Sequence, residues 1–184
     1  MSLATINSLV PPPESPVEVG TKAGWKEVEM KLGLKLPADY RKFIDTYGSG
    51  LFADFYMVYN PFASSELINL IVCVNRVCGY NRTSQTSNPS RFPYPYFPEP
   101  NGLLPWGRDE NGNDYFWLRK GSPATWQVVQ DSNRGSGILL QPYTMTGFLA
   151  GVLEGKVKAL ASHYPNSESH TFTQWKPITH EAQS

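Results

Sequence analysis

Apolar side chains first recur at helical spacing from Thr21 onward. Trp25, Val28 and Leu32 fall at i, i+3 and i+7, on one face of a helix, and Gly33 is placed to stop it. A second helix is predicted to follow at once. Pro37 suits its first turn, where a missing N–H costs nothing. Tyr40, Phe43, Ile44 and Tyr47 form its apolar stripe, while Asp39, Arg41, Lys42 and Asp45 face water. Gly48-Ser49-Gly50 ends it. Leu51 to Tyr59, rich in Phe, Tyr, Met and Val, reads as one strand closed by Asn60-Pro61. Ser64 is the expected N-cap of a third helix, running to about Asn81 through Leu67, Leu70, Ile71, Val74 and Val77.

From Thr83 to Pro100 the periodicity stops. Prolines at 93, 95, 98 and 100 deny the backbone a regular ladder, and aromatic residues stand between them. The apolar runs Leu103–Trp106 and Tyr115–Leu118 flank a polar tip at which Asn111-Gly112 predicts a type I′ hairpin turn. Trp126 to Asp131 alternates as a further strand, and Ile138–Leu140 can form another. Thr144 or Thr146 then caps a last helix that buries Phe148, Leu149, Val152 and Leu153, with Gly155 near its stop.

Helix, helix, strand, helix, then sequential strands joined by tight turns, then helix: this order predicts a single α+β domain. Its sheet is mostly antiparallel, of about five or six strands, with helices packed on one face. The domain is placed at residues 20–162. Residues 1–19, with Pro11, Pro12 and Pro13 in a row, read as a flexible Pro-rich lead-in; residues 163–184 read as a tail that docks in part through Phe172 and Trp175.

Composition narrows the function classes. The chain has 184 residues, long enough for a core without metal or disulfide staples. Sixteen basic and sixteen acidic residues cancel, which argues against a direct nucleic-acid binder. No apolar run approaches a membrane span, and the N-terminus lacks the pattern of a secretory signal, so a cytoplasmic protein is expected. Cys73 and Cys78, a turn and a half apart on a helix, diverge by more than about 100° and are expected to be two buried reduced thiols.

No catalytic motif stands up. Gly151–Val157 has the wrong glycine spacing for a phosphate loop and no Ser/Thr for magnesium. Asp109–Asp114 is oxygen-rich but misplaces the glycine of a calcium loop and reads as a polar hairpin tip. His163, His170 and His180 all lie near the C-terminus without zinc-ligand spacing, and there is no G-x-S-x-G elbow. The expectation is a non-enzyme without cofactor or metal. What stands out is an aromatic content of 13 %. Tyr94, Tyr96 and Phe97, kept out of a strand by their prolines, are the candidate partner-binding residues, with Arg91 and Glu99 as rim charges.

The segment Lys35 to Ile44, followed by Tyr47-Gly48-Ser49-Gly50, resembles the "lP-x-D-y-x-x-F…y-G-x-G" signature of the SUKH superfamily, the domains related to the fungal Smi/Knr-type cell-wall synthesis regulators. Phe55–Phe62, Trp106–Trp117 and Thr146–Gly155 resemble, in order, that family's strand and Asn-Pro turn, its Gly/Asn hairpin and its closing helix. The resemblance covers about Thr21 to Lys158 and implies an α+β fold. It also implies a bacterial immunity protein that binds a cognate secreted polymorphic toxin domain, often a nuclease, and occludes it without catalysis. Pro37, Asp39, Tyr40, Phe43, Gly48 and Gly50 carry over as fold markers. The alternatives are a regulatory scaffold like the fungal relatives, or a sugar-binding or hydrolytic domain using Trp106 or Trp117 as an exposed stacking platform.

Overall fold

The computed structural model describes residues 2–132, 137–157 and 169–176. Six strands, β1 (Gly50–Phe52), β2 (Tyr56–Val58), β3 (Leu103–Asp109), β4 (Asp114–Leu118), β5 (Gln127–Ser132) and β6 (Gly137–Gln141), pair in chain order as an antiparallel meander. A seventh, β7 (Phe172–Gln174), adds antiparallel to the free edge of β1, so the order is β6-β5-β4-β3-β2-β1-β7. The expected α+β architecture is present, with seven strands. Phe172 and Trp175 of the tail pack against the core, and the Trp175 N–H donates to Ser49 O at 3.0 Å. His163 and His180 lie outside the described residues.

The predicted strand over Leu51–Tyr59 is two short strands joined at Ala53-Asp54. Both residues are left-handed, with φ of 53° and 49°. No glycine marks this turn, so nothing in the residue pattern announced it. Asn111-Gly112 does turn the chain, but not as a type I′ pair. Only Gly112 is left-handed, at φ 81°, and its N–H donates to Asp109 O at 2.9 Å, which makes a three-residue loop.

Among the described residues, five α-helices surround the sheet. α1 (Ser2–Leu9) falls inside the expected lead-in; Ile6 and Val10 are fully buried, and α1 packs on α5 (Met145–Leu153). α2 (Lys22–Leu32) is stopped by Gly33 at φ 66°, as its sequence predicts, and its start is capped by the Thr21 side chain. α3 (Ala38–Tyr47) buries Tyr40, Phe43, Ile44 and Tyr47. α5 is capped by Thr144, which accepts from Gly147 N. The third predicted helix, α4 (Leu70–Ser87), starts later and runs further than expected. Its cap is Asn69, which accepts from Ile71 N and Val72 N, rather than Ser64.

The Lys35–Ile44 segment is a junction. Glu29 of α2 accepts from Lys35 Nζ at 2.6 Å, Leu36 N at 3.2 Å and Arg41 Nη1 at 3.2 Å. Burial pushes the Glu29 carboxyl up, but these donors outweigh it and hold the group below its ordinary value. Asp39 accepts from the Thr146 hydroxyl at 2.9 Å and so ties α3 to the start of α5; the Tyr40 hydroxyl donates to Tyr59 O at 2.6 Å and ties α3 to the sheet.

The central strands are covered on both faces, because every residue of β4 is buried. Register separates the two faces. Tyr115 and Trp117 meet Phe148 of α5 and Tyr40 of α3, with ring centroids 5.6 and 4.9 Å apart. Phe116, between them, points the other way and meets Tyr96 at 5.7 Å. That second face is roofed by α4 and the proline-rich loop after it, so the helices do not all share one side of the sheet. Trp106 sits at a bulge in β3 and is fully buried, as is Trp117. Neither indole is an exposed stacking platform, and the sugar-binding reading loses the residues it named.

Candidate partner-binding face

The loop singled out from the sequence is fastened down by α4 and β4. Gln85 Nε2 donates to Phe92 O at 2.8 Å and Tyr94 O at 3.0 Å, and Arg82 donates to Phe97 O. Arg119, just past β4, donates to Gly102 O at 2.9 Å and to Glu99 O, and lies 5.0 Å over the Phe97 ring. The five candidate residues therefore do not form one surface. Tyr96 is fully buried between Phe92 and Phe116, so it packs rather than recognises. Arg91 is no rim charge. Its guanidinium reaches under the sheet to donate to Asp131 Oδ1 at 2.8 Å and Ser132 O at 3.0 Å. Tyr94 and Phe97 are half-buried against the core, and Glu99 is exposed. Proline spacing shows where a ladder is denied; it does not show which of the intervening aromatics points inward.

Beside this loop, α4 leans over β3 and β4 and leaves a trough. Register puts Arg108 of β3 opposite Asp114 of β4 on the same face, 3.9 Å apart. Arg76 of α4 faces them from above. Two adjoining cavities of about 380 and 620 Å³ share these two arginines. Tyr80, Arg91 and Asp114 line the first, and Tyr59 and Leu67 the second. Leu67 and Tyr80 stand in water, 73 % and 72 % exposed, whereas Leu67 was expected on the buried stripe of the helix. It precedes the helix because the cap is Asn69. Sequence reasoning missed this face, since Tyr59, Arg76 and Arg108 are far apart in the chain. The one available signal was Tyr80, a large aromatic on the polar side of an amphipathic helix.

Both thiols belong to the underside of α4 and are buried and free. Cys73 Sγ lies 3.3 Å from Leu67 O. Burial pushes Cys73 up to about 11 and Cys78 up to about 12. At pH 8 neither carries appreciable thiolate, the reactive form. An aromatic disulfide reagent should therefore find no reactive thiol in the native chain at pH 8 and two after denaturation. Rapid labelling of the folded protein would show that α4 opens readily. Among the described residues, no group of three or more His, Cys, Asp or Glu is arranged to hold a metal ion, and no helix is long and apolar enough to cross a membrane.

A family model described as SUKH_6: SMI1-KNR4 cell-wall matches residues 22–139, from the start of α2 into β6. The closing-helix resemblance at Thr146–Gly155 lies beyond that span. No curated protein and no solved structure matches the chain.

Proposed function

The chain belongs to the SUKH_6, SMI1-KNR4 cell-wall family, and from that premise we propose that it is an immunity protein. It binds a cognate secreted toxin domain in the cytoplasm and covers the toxin's working surface, without turning over a substrate. One observation carries the reading beyond the family: Leu67 and Tyr80 are held in water beside arginines on the α4 face. Large apolar side chains next to guanidinium groups have the composition of a protein interface, where tyrosine and arginine supply much of the binding energy. The cell-wall term in the family's description supports a second reading, a regulatory scaffold for endogenous partners.

The test is to search the neighbouring genes for a toxin domain and to express it with and without the chain; a locus with no such gene would count against immunity. Immunity predicts relief of toxicity and a complex that Leu67→Ala with Tyr80→Ala weakens by at least about 2 kcal/mol. Toxicity unchanged by the chain, with no complex formed, would remove the immunity reading and leave the scaffold.

A further inference from the structure

We infer that the trough between α4 and β3–β4 is a carboxylate slot, in which Arg76, Arg108 and the Tyr59 hydroxyl receive an aspartate or glutamate side chain of the protein partner, with Leu67 and Tyr80 holding apolar residues on either side. The inference rests on the protein-binding reading above and names the chemistry of its partner.

Three groups in the trough have bonding capacity to spare. Tyr59 is 1 % exposed, yet its hydroxyl has no hydrogen-bond partner among the described residues. A buried hydroxyl left unpaired carries a desolvation cost that a ligand removes. Burial first, then the Asp114 charge, raises the ionisation of this phenol, so it is a donor at any physiological pH. Among the described residues, Arg76 Nη2 reaches only neutral acceptors, Leu67 O at 3.3 Å and Cys73 Sγ at 3.2 Å. Arg108 donates to Gly112 O at 3.4 Å and stands 3.9 Å from Asp114, too long for a charge-assisted hydrogen bond.

The acidic groups at the trough do not fill the slot. Asp109 is buried and already accepts from Asn113 N at 2.9 Å, Asn113 Nδ2 at 2.8 Å and the Tyr115 hydroxyl at 2.8 Å. Asp131 is occupied by Arg91. Glu110 is exposed at the hairpin tip. With Arg91 taken by Asp131, Asp114 is the one carboxylate among the residues that line the smaller cavity, and it stands against two arginines, Arg76 and Arg108. What the site lacks is an acceptor with several lone pairs, and a carboxylate has about four. A free anion would satisfy the donors but gives Leu67 and Tyr80 nothing to cover, whereas an acidic residue within a polypeptide satisfies both.

The probe is the blocked tripeptide acetyl-Leu-Glu-Leu-amide, titrated into the full chain while the arginine Nε–H resonances are followed by NMR. Saturable shifts are expected at Arg76 and Arg108, with at least tenfold weaker binding of the Gln-centred peptide. Arg76→Gln and Arg108→Gln should each weaken the Glu peptide by about tenfold or more, and Tyr59→Phe by about tenfold. Melting temperatures of the three variants confirm that they are folded. Equal shifts with the Gln peptide, Glu binding untouched in the arginine variants, or displacement of the peptide by equimolar inorganic phosphate would each overturn the slot. A toxin domain bound equally by wild type and by Arg76→Glu with Arg108→Glu would overturn the slot and leave immunity standing. A peptide that binds as expected alongside a neighbouring toxin that does not would do the reverse.

Discussion

Replacing Arg91 by alanine is expected to destabilise the fold by about 3–5 kcal/mol at neutral pH, because it strands a buried carboxylate. Asp131 is fully buried in β5, and Arg91 is its ion-pair partner at 2.8 Å. Burial raises the Asp131 carboxyl above its ordinary value even with Arg91 holding it down. The sign of the pH dependence follows. A carboxyl raised in the folded state contributes stability that is present at low pH and lost as pH rises through its folded value. Without Arg91 that value climbs further, so the variant's deficit is largest at neutral pH and shrinks on acidification. Adding Asp131→Asn should restore part of the loss, since a neutral amide costs less to bury than a charge. Thermal melts from pH 4 to 8 check all three points; a loss in Arg91→Ala that stays constant across that range would show that Asp131 is not the stranded group. The consequence for function is direct. Any loss of partner binding in an Arg91 variant must first be corrected for unfolding, because this arginine is spent inside the protein.

The sequence made Arg91 look like a rim charge for a physical reason. A proline-rich loop cannot pair as a strand, but its neighbours can still tie it down, and the ties here come from Gln85, Arg82 and Arg119 on other elements. Linear pattern carries no record of them. Helices with strong local signals were legible: Gly33 stops α2 and Thr144 caps α5 by their own backbone or side-chain chemistry. α1 was not legible, since a short helix with one fully buried side chain has no measurable period and holds by docking on α5 and by the Tyr47 hydroxyl of α3, which bonds Asn7 and Val10 O. The β1–β2 turn was hidden because Ala53 and Asp54 adopt a conformation that glycine or asparagine usually marks. Of the trough, Tyr80 alone left a trace in the sequence, and the arginines left none. Arg76 and Arg108 are 32 positions apart and meet only because α4 crosses β3.

Gly48→Ala should be among the most damaging single substitutions in the chain, and Gly33→Ala shows why. Both glycines end helices with positive φ, 66° at Gly33 and 68° at Gly48. A methyl at Gly33 meets nothing within 4 Å, so its cost is the left-handed backbone alone, about 1–2 kcal/mol. At Gly48 the backbone has ψ −141°, a region that side chains avoid more strongly, and the new Cβ would sit 2.0 Å from Val17 O. A backbone oxygen cannot rotate aside. The segment before α2 must move, and it takes with it the Ser49 N–H bond to Val17 O and the neighbouring bonds of Glu18 to Asn60 and Ser64. Strain and clash together set the expected loss at about 4 kcal/mol or more. Gly50 makes the same point from the opposite direction. Its φ is not left-handed, yet a Cβ there would lie 2.5 Å from Thr173 O, so the second glycine of the Tyr47–Gly50 segment admits β7 rather than turning the chain. Chemical denaturation of the Gly33 and Gly48 variants side by side decides the matter. Equal losses would mean that residues 10–20 yield without resistance and that only α1, not the chain linking it to α2, is held by the domain; a gap of 2 kcal/mol or more would mean that the linking chain is clamped at Val17 as part of the fold.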